Sequence, residues 1–424
     1  MVGTVTTDRI GAKRRALADR ARAFRRAQRR YIADEISYLV LVPTLRCNLS
    51  CSYCQVSRVA EHADGFDWSR ETLDAVLGFI ETLSTPYLKI EFQGGEPLLG
   101  LKHLVEVRET CRKRFERVEF VVCTNLQFVS TDAWAFLAND DVKISTSFDG
   151  TIETHRKQRK VNDAEMRAFL DNLDIARERF GTHKISALPT LDPSALPTPT
   201  DILDSFASWD LSSVFLRPVA NYGFARKAHE ASQISDDWYR FHKAVVQEMI
   251  SRNYARGTRF DEFYLTHCLR RMLRSDTNGH VDLRNPNLFA RDYLLIDHDG
   301  TFYPTDEARM LTRTGQIDLS IGHIASGLDM EKLSILNANA SMDDDPHCLR
   351  CRHQSYCGRD VIDDLSRYGR IDVPRTETEF CKRHMHMFGL AEELIESNDP
   401  AVWHSLALWL DVPKWDTLLK KIVR

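Results

Sequence analysis

From residue 37 onward, two hydrophobic periods alternate along the chain. SYLVLVP (37–43), YLKIEFQ (87–93), VEFVVCT (118–124), VKISTSF (142–148), HKISALPTL (183–191) and SVFLRPV (213–219) are short runs rich in β-branched and aromatic residues, and they read as strands. Between them, SRETLDAVLGFIETL (69–83), LKHLVEVRETCRKRF (101–115), TDAWAFLAND (131–140), residues 163–179 and DILDSFASWD (201–210) carry the spacing of amphipathic helices. Parallel neighbours need crossover connections. Six strands with helices between them therefore predict a parallel α/β sheet, either an open layer or a partial barrel.

The rhythm changes after about residue 225. Helical segments near 233–252 and 260–274 lead to RDYLLIDHDGTFYPTDEAR (291–309), which predicts a hairpin turning at Asp299 and Gly300. A cysteine-bearing loop follows, HCLRCRHQSYCGRD (347–360), and then a helical tail from about 385. At the other end, residues 8–30 hold ten bases against two acids in an Ala/Arg-rich stretch, which predicts a charged helix. This helix is either a solvated face or a docking arm for an acidic peptide. The resulting division is a basic N-terminal helix over 1–34, a main α/β domain over 35–228, a cysteine-bearing domain over 229–384 and a helical tail over 385–424.

At 424 residues the chain can build a large core, and a net charge of −4 argues against a nucleic-acid coat or an anionic membrane surface as partner. The opening MVGTVTTDRIGAKRR lacks the apolar stretch of a signal peptide, and no run of about 18 apolar residues occurs later. The expectation is a cytoplasmic protein with no membrane partner. In that reducing compartment, closely spaced cysteines read as metal ligands or catalytic thiols before disulfides.

Three of the ten cysteines, Cys47, Cys51 and Cys54, fall within eight residues just past the first strand. Their C-x3-C-x2-C spacing is expected by chance only roughly 0.006 times in such a chain. Structural zinc closes its tetrahedron with four ligands, whereas a 4Fe-4S cluster held by three cysteines keeps one iron open. The open corner is the place for a substrate or cofactor.

Cys47, Cys51, Tyr53 and Cys54 resemble the C-x3-C-x-aromatic-C signature of the radical S-adenosylmethionine (SAM) superfamily. The resemblance implies a partial (β/α)6 TIM-type barrel, a SAM-binding 4Fe-4S cluster and a 5′-deoxyadenosyl radical that removes a hydrogen atom from the substrate. It also implies that Gly94, Gly95 and Glu96 bind the cofactor's ammonium group. Asn125, Ser147 and Asp149, at the ends of the next two strands, face cofactor or substrate, and Arg159 lies near the cofactor carboxylate. Each of these positions also has a plain reading as a turn or strand-end residue.

Cys348, Cys351 and Cys357 form C-x2-C-x5-C, with Cys381 further on. Four such residues also satisfy a structural zinc site. Beside the first motif they resemble the SPASM extension of peptide- and protein-modifying radical enzymes, which implies one auxiliary 4Fe-4S cluster with no open iron. Two cysteines of the full SPASM pattern are replaced here by Thr305 and Val361. One auxiliary cluster, not two, is therefore expected, with Cys111, Cys123 and Cys268 packing as small apolar side chains. By the same resemblance Asp306 is a candidate catalytic base, although an ordinary salt-bridge role is open to it.

The stretches CQVSR, FLRPVANYGFARK and YPTDEAR look like the maturase of the His-Xaa-Ser peptide system. What this implies is a short ribosomally made precursor peptide as substrate, a side-chain crosslink as product, and a flavodoxin or ferredoxin as electron donor. Two alternatives stay open: oxidation of a Ser or Cys in a target protein, as sulfatase-maturing enzymes perform, and a noncatalytic metal-bound peptide scaffold.

Overall fold

The computed structural model describes residues 35–228, 236–274 and 280–414, together with Ala16 and Asp19. The rest of the expected basic helix, and the end of the tail, lie outside the described residues.

Five parallel strands follow in chain order, β1 (Tyr38–Thr44), β2 (Tyr87–Gly94), β3 (Arg117–Thr124), β4 (Val142–Thr146) and β5 (Ile185–Ala187), each hydrogen-bonded to the next. The sixth, β6 (Arg217–Pro218), pairs in parallel with Thr190–Leu191, just past β5. Helices α1 (Arg70–Thr82), α2 (Leu101–Arg114), α3 (Thr131–Leu137), α4 (Ile152–Arg159), α5 (Asp163–Phe180) and α6 (Pro199–Ser208) occupy the crossovers. All six expected strands are present, and the fold is the expected partial barrel of mixed α/β class. Helix α4 was not anticipated, because IETHRKQR has almost no apolar face; Thr151 caps it and the left-handed Lys160 ends it.

Strand periodicity divides the barrel into two chemistries. On β2, Leu88, Ile90 and Phe92 are fully buried against the helices, while Lys89, Glu91 and Gln93 alternate toward the interior. Burying each of those apolar side chains contributes roughly 1.5–3 kcal/mol. The outer layer thus supplies stability and leaves the lumen free to be polar.

After the barrel come α7 (Asp236–Arg256) and α8 (Phe263–Leu273), then the predicted hairpin, β7 (Tyr293–Ile296) and β8 (Phe302–Tyr303). Its turn uses Gly300 at φ 88°, a left-handed conformation that favours glycine. Strand β7 lies parallel to β1, Tyr38 opposite Tyr293, so the hairpin extends the barrel sheet past its first strand. Periodicity could not reveal this long-range pairing. Helices α9 (Asp306–Arg313), α10 (Met330–Ala338), α11 (Val361–Tyr368), α12 (Glu379–Glu396) and α13 (Pro400–Trp409) complete the extension. Helix α12 starts six residues before the expected tail, which puts Cys381 on its first turn. Among the described residues, no helix is long and apolar enough to cross a membrane.

Candidate functional site

Residues 45–57 follow β1 and are gripped from three sides. The first grip is the Gly94–Gly95–Glu96 segment: Gly95 N–H donates to Thr44 O at 3.1 Å, and Glu96 N–H to Arg46 O at 2.8 Å. A Cβ on Gly94 would stand 2.1 Å from Thr44 O, and one on Gly95 2.1 Å from Arg46 O. The two glycines are thus required by the close approach of this chain's own backbone, whatever else they bind. The second grip is the segment after β6, where Phe224 N–H donates to Cys54 O at 2.9 Å and Gly223 (φ 57°) abuts Gln55 O. The third is α4, whose Gln158 carbonyl accepts from Ser52 N–H at 2.8 Å and from the Ser52 hydroxyl at 2.9 Å. Sequence reading missed Gln158 and Gly223; a lone Gln and an NYGF tetrapeptide carry no chemical signature.

Cys47, Cys51 and Cys54 are free, partly exposed thiols on this loop. Asn125 Nδ2 lies 3.8 Å from Cys47 Sγ and donates to Asn48 Oδ1 at 2.8 Å, and Arg159 Nη1 lies 4.0 Å from Cys51 Sγ. Burial first, then Glu96, pushes the Cys47 thiol up to about 12. Burial also raises Cys51, opposed by Arg159. Such thiols ionise readily only beside a strongly bound cation. A closely spaced, all-sulfur, unbridged set of this kind fits iron–sulfur ligation.

Beside the cysteines lies a buried polar knot. The Tyr53 hydroxyl donates to Asp149 at 2.9 Å, and Arg159 Nε donates to Asp149 Oδ2 at 2.9 Å while its Nη2 reaches the Tyr53 oxygen. Thr190 N–H completes the set with 3.2 Å to Asp149 Oδ1. Tyr53, Asp149 and Arg159 are thereby brought together, an aromatic, an acid and a base fixed at one strand end. Glu96 is also buried, accepting from Asn125 N–H at 2.8 Å and Leu98 N–H at 3.1 Å, and desolvation raises its carboxyl to about 7. Ser147 is partly exposed at the end of β4.

Among the described residues, no disulfide joins Cys348, Cys351, Cys357 and Cys381. Cys357 has Cys381, Cys348 and Cys351 as electrostatic neighbours, so the four converge; burial pushes Cys348 and Cys357 up to about 12. Thr305 and Val361, where the fuller pattern has cysteines, take structural work instead: Thr305 caps α9 at 3.1 Å and Val361 is buried at the start of α11. Cys111 and Cys268 pack in the apolar core as expected. Cys123 does not. It points into the lumen and donates to Glu91 Oε1 at 3.2 Å, and Glu91 also accepts from Tyr38 at 2.6 Å and Gln93 at 2.7 Å. Its strand position, two residues before Asn125, was the available signal.

Residues 41–196, which hold the loop and the knot, match the family described as the Radical SAM superfamily. They form a radical SAM domain. Radical SAM cyclopropyl synthase TigE of Paramaledivibacter caminithermalis is 21% identical over 168 residues, 36% of this chain and 35% of that protein. The matched stretches span only 35–53% of the lengths of the curated relatives. Among solved structures, native anSMEcpe with bound AdoMet aligns at TM-score 0.66 and 17% identity, over 84% of this chain and 96% of that one. Streptococcus suis SuiB bound to its precursor peptide SuiA aligns at TM-score 0.55 and 13% identity, over 79% and 74%. At these identities the likeness concerns the fold, and it extends beyond the radical SAM domain into the C-terminal region.

Proposed function

We propose that this radical SAM enzyme modifies a short ribosomally made precursor peptide, joining two of its side chains, in the manner suggested by the likeness to a His-Xaa-Ser system maturase. The observation that carries the reading is the three-thiol loop locked beside Tyr53, Asp149 and Arg159, in a fold shared with a peptide-bound protein. In this reading Cys47, Cys51 and Cys54 hold a 4Fe-4S cluster, and Cys348, Cys351, Cys357 and Cys381 hold an auxiliary one. The loaded site supplies a 5′-deoxyadenosyl radical from SAM.

The chain's own residues do the rest. Arg159 and Asn125 hold donors toward the cysteine sulfurs, offsetting the charge that burial would otherwise penalise. Asp149 fixes Tyr53 and Arg159, so a bound methionine moiety meets a preorganised wall. Gly94, Gly95, Glu96 and Ser147 are assigned to that same wall. The division at 228/229 is retained as a proposal, with the extension sharing the barrel's sheet. A flavodoxin or ferredoxin is the proposed electron donor, and the cytoplasm the proposed location.

The test is anaerobic reconstitution with a co-expressed candidate peptide. About eight irons per chain, 5′-deoxyadenosine and a peptide lighter by two hydrogens between two residues are expected. Zinc in the first loop, or no 5′-deoxyadenosine, rejects the reading. The fuller coverage of anSMEcpe, 96% of that chain, keeps oxidation of a single Ser or Cys as the second reading. A mass loss confined to one residue would select it. A noncatalytic scaffold is disfavoured by an iron-binding loop with only three thiols.

A further inference from the structure

Two buried arginines beside the cysteine loop come with carboxylates. Arg159 is held by Asp149, and the fully buried Arg309 sets Nε at 3.0 Å and Nη2 at 2.8 Å on Asp306 Oδ1, with its Nη1 3.4 Å from Val56 O on the loop. Asp306, which the family resemblance nominates as base, is thus the counter-ion of an arginine that latches α9 to that loop. Arg217 on β6 is the exception. It forms no ion pair and no hydrogen bond among the described residues, and its Nε is buried without a partner.

Strand parity shows where Arg217 points. Val214 and Leu216 are buried in the main apolar core, while Phe215 and Arg217, on the alternate positions, are partly exposed. Val219, two residues on and so on the same face, packs against Tyr53. Register sets Arg217 beside Thr190, whose N–H donates to Asp149 Oδ1 at 3.2 Å. Arg217 therefore stands on the barrel wall next to the Tyr53–Asp149–Arg159 knot. Its guanidinium carbon lies 5.3 Å from the centre of the Phe215 ring. That ring is 5.2 Å from Phe263 and stacks at 5.8 Å on Tyr264, both on the first turn of α8. Barrel and extension together make the platform that carries the charge.

A guanidinium drawn out of water with no anion is costly, and burial holds Arg217 below the usual arginine range. A carboxylate entering the site recovers that cost and matches the planar fork of donors. In a ribosomally made peptide the anions present near neutrality are carboxylates, of Asp, of Glu or of the C-terminus. Arg159 belongs to the wall assigned above to the cofactor, which leaves Arg217 for the substrate. We infer that Arg217 anchors the substrate peptide by one of its carboxylates, an inference that rests on the peptide-modifying reading above and names a group the peptide must carry.

The experiment compares Arg217→Gln and Arg217→Lys with the parent in the reconstituted enzyme and its co-expressed peptide. R217Q should raise KM about 30-fold while kcat changes less than about threefold, as expected for the loss of one charge-assisted pair. R217K should recover part of this, because an ammonium keeps the charge but not the fork. Converting the contacted Asp or Glu of the peptide to its amide, or amidating the C-terminus, should cost the parent the same factor and cost R217Q nothing more. A second readout needs no turnover and no variant. Phenylglyoxal modification of Arg217, located by mass spectrometry in the parent without SAM, should be slowed by acetyl-glycyl-aspartyl-glycinamide or by acetyl-triglycine, and not by the asparagine analogue of the first. Whichever probe protects tells a side-chain carboxylate from a C-terminal one. A KM for R217Q within about threefold of the parent, a loss that falls on SAM affinity instead, or protection by neither carboxylate overturns the inference. Absence of 5′-deoxyadenosine in the parent overturns the functional reading itself, and the labelling is read independently of it.

Discussion

Gly95→Ala is the sharpest test of how the cysteine loop is held. The new methyl would meet Arg46 O at 2.1 Å and Leu45 O at 2.5 Å, so the loop must retreat by about 1.3 Å to reach the 3.4 Å of ordinary contact. That retreat breaks the Gly95-to-Thr44 and Glu96-to-Arg46 backbone hydrogen bonds, each worth about 1 kcal/mol, and leaves buried groups unsatisfied at about another 1 kcal/mol. A loss of about 3 kcal/mol corresponds to a fall of about 3 °C in Tm for a chain of 424 residues. The assay is thermal unfolding together with iron retained after gel filtration. Gly78→Ala is the control: Gly78 is exposed on α1, nothing lies within 4 Å of where its methyl would stand, and the variant should gain up to about 1 kcal/mol. If G95A melts within 1 °C of the parent and keeps its iron, the glycine pair does not hold the loop.

Three further outcomes are expected. Asp149→Asn leaves Arg159 without its carboxylate in a buried site, so about 3 kcal/mol of stability and nearly all 5′-deoxyadenosine formation should be lost, read by denaturant unfolding and chromatography. Cys51→Ala and Cys357→Ala should each remove about four irons per chain, whereas Cys123→Ala should remove none, as an iron assay would show. His384 is buried, with Nδ1 2.9 Å from Phe380 O and Nε2 2.7 Å from the Tyr264 hydroxyl, and burial lowers it to about 3. Because the unfolded chain takes up that proton near 6.5, stability should be complete above 6.5 and fall steadily toward pH 3; His384→Gln should flatten this slope in pH-dependent unfolding.

The barrel was legible because its strands and helices carry opposite periods, and the cysteine loop because C-x3-C-x2-C seldom arises by accident. Asn125, Asp149, Tyr53 and Arg159 were found by order along the chain, and the structure brings them to one end of the barrel. What remained hidden depends on contacts between distant segments. The grip of Gly223 on Gln55, the burial of Gln158 and the seating of β7 on β1 leave no local pattern. Cys123 was misread for a related reason: it sits in an apolar run, but its strand parity turns it toward Glu91. Asp306 was nominated by its place after the hairpin, and no local pattern shows that the buried Arg309 engages its carboxylate.

The pairing of β7 with β1 sets a schedule for the newborn chain. Tyr38 meets Lys89 early, but its other neighbour, Tyr293, emerges some 250 residues later. At ribosomal speeds of roughly 5–20 residues per second, the first strand waits about 13–50 s with one row of peptide groups bare. Neighbouring chains on the same message expose the same row, so crowding during synthesis favours mispairing at this strand until residues 293–296 arrive.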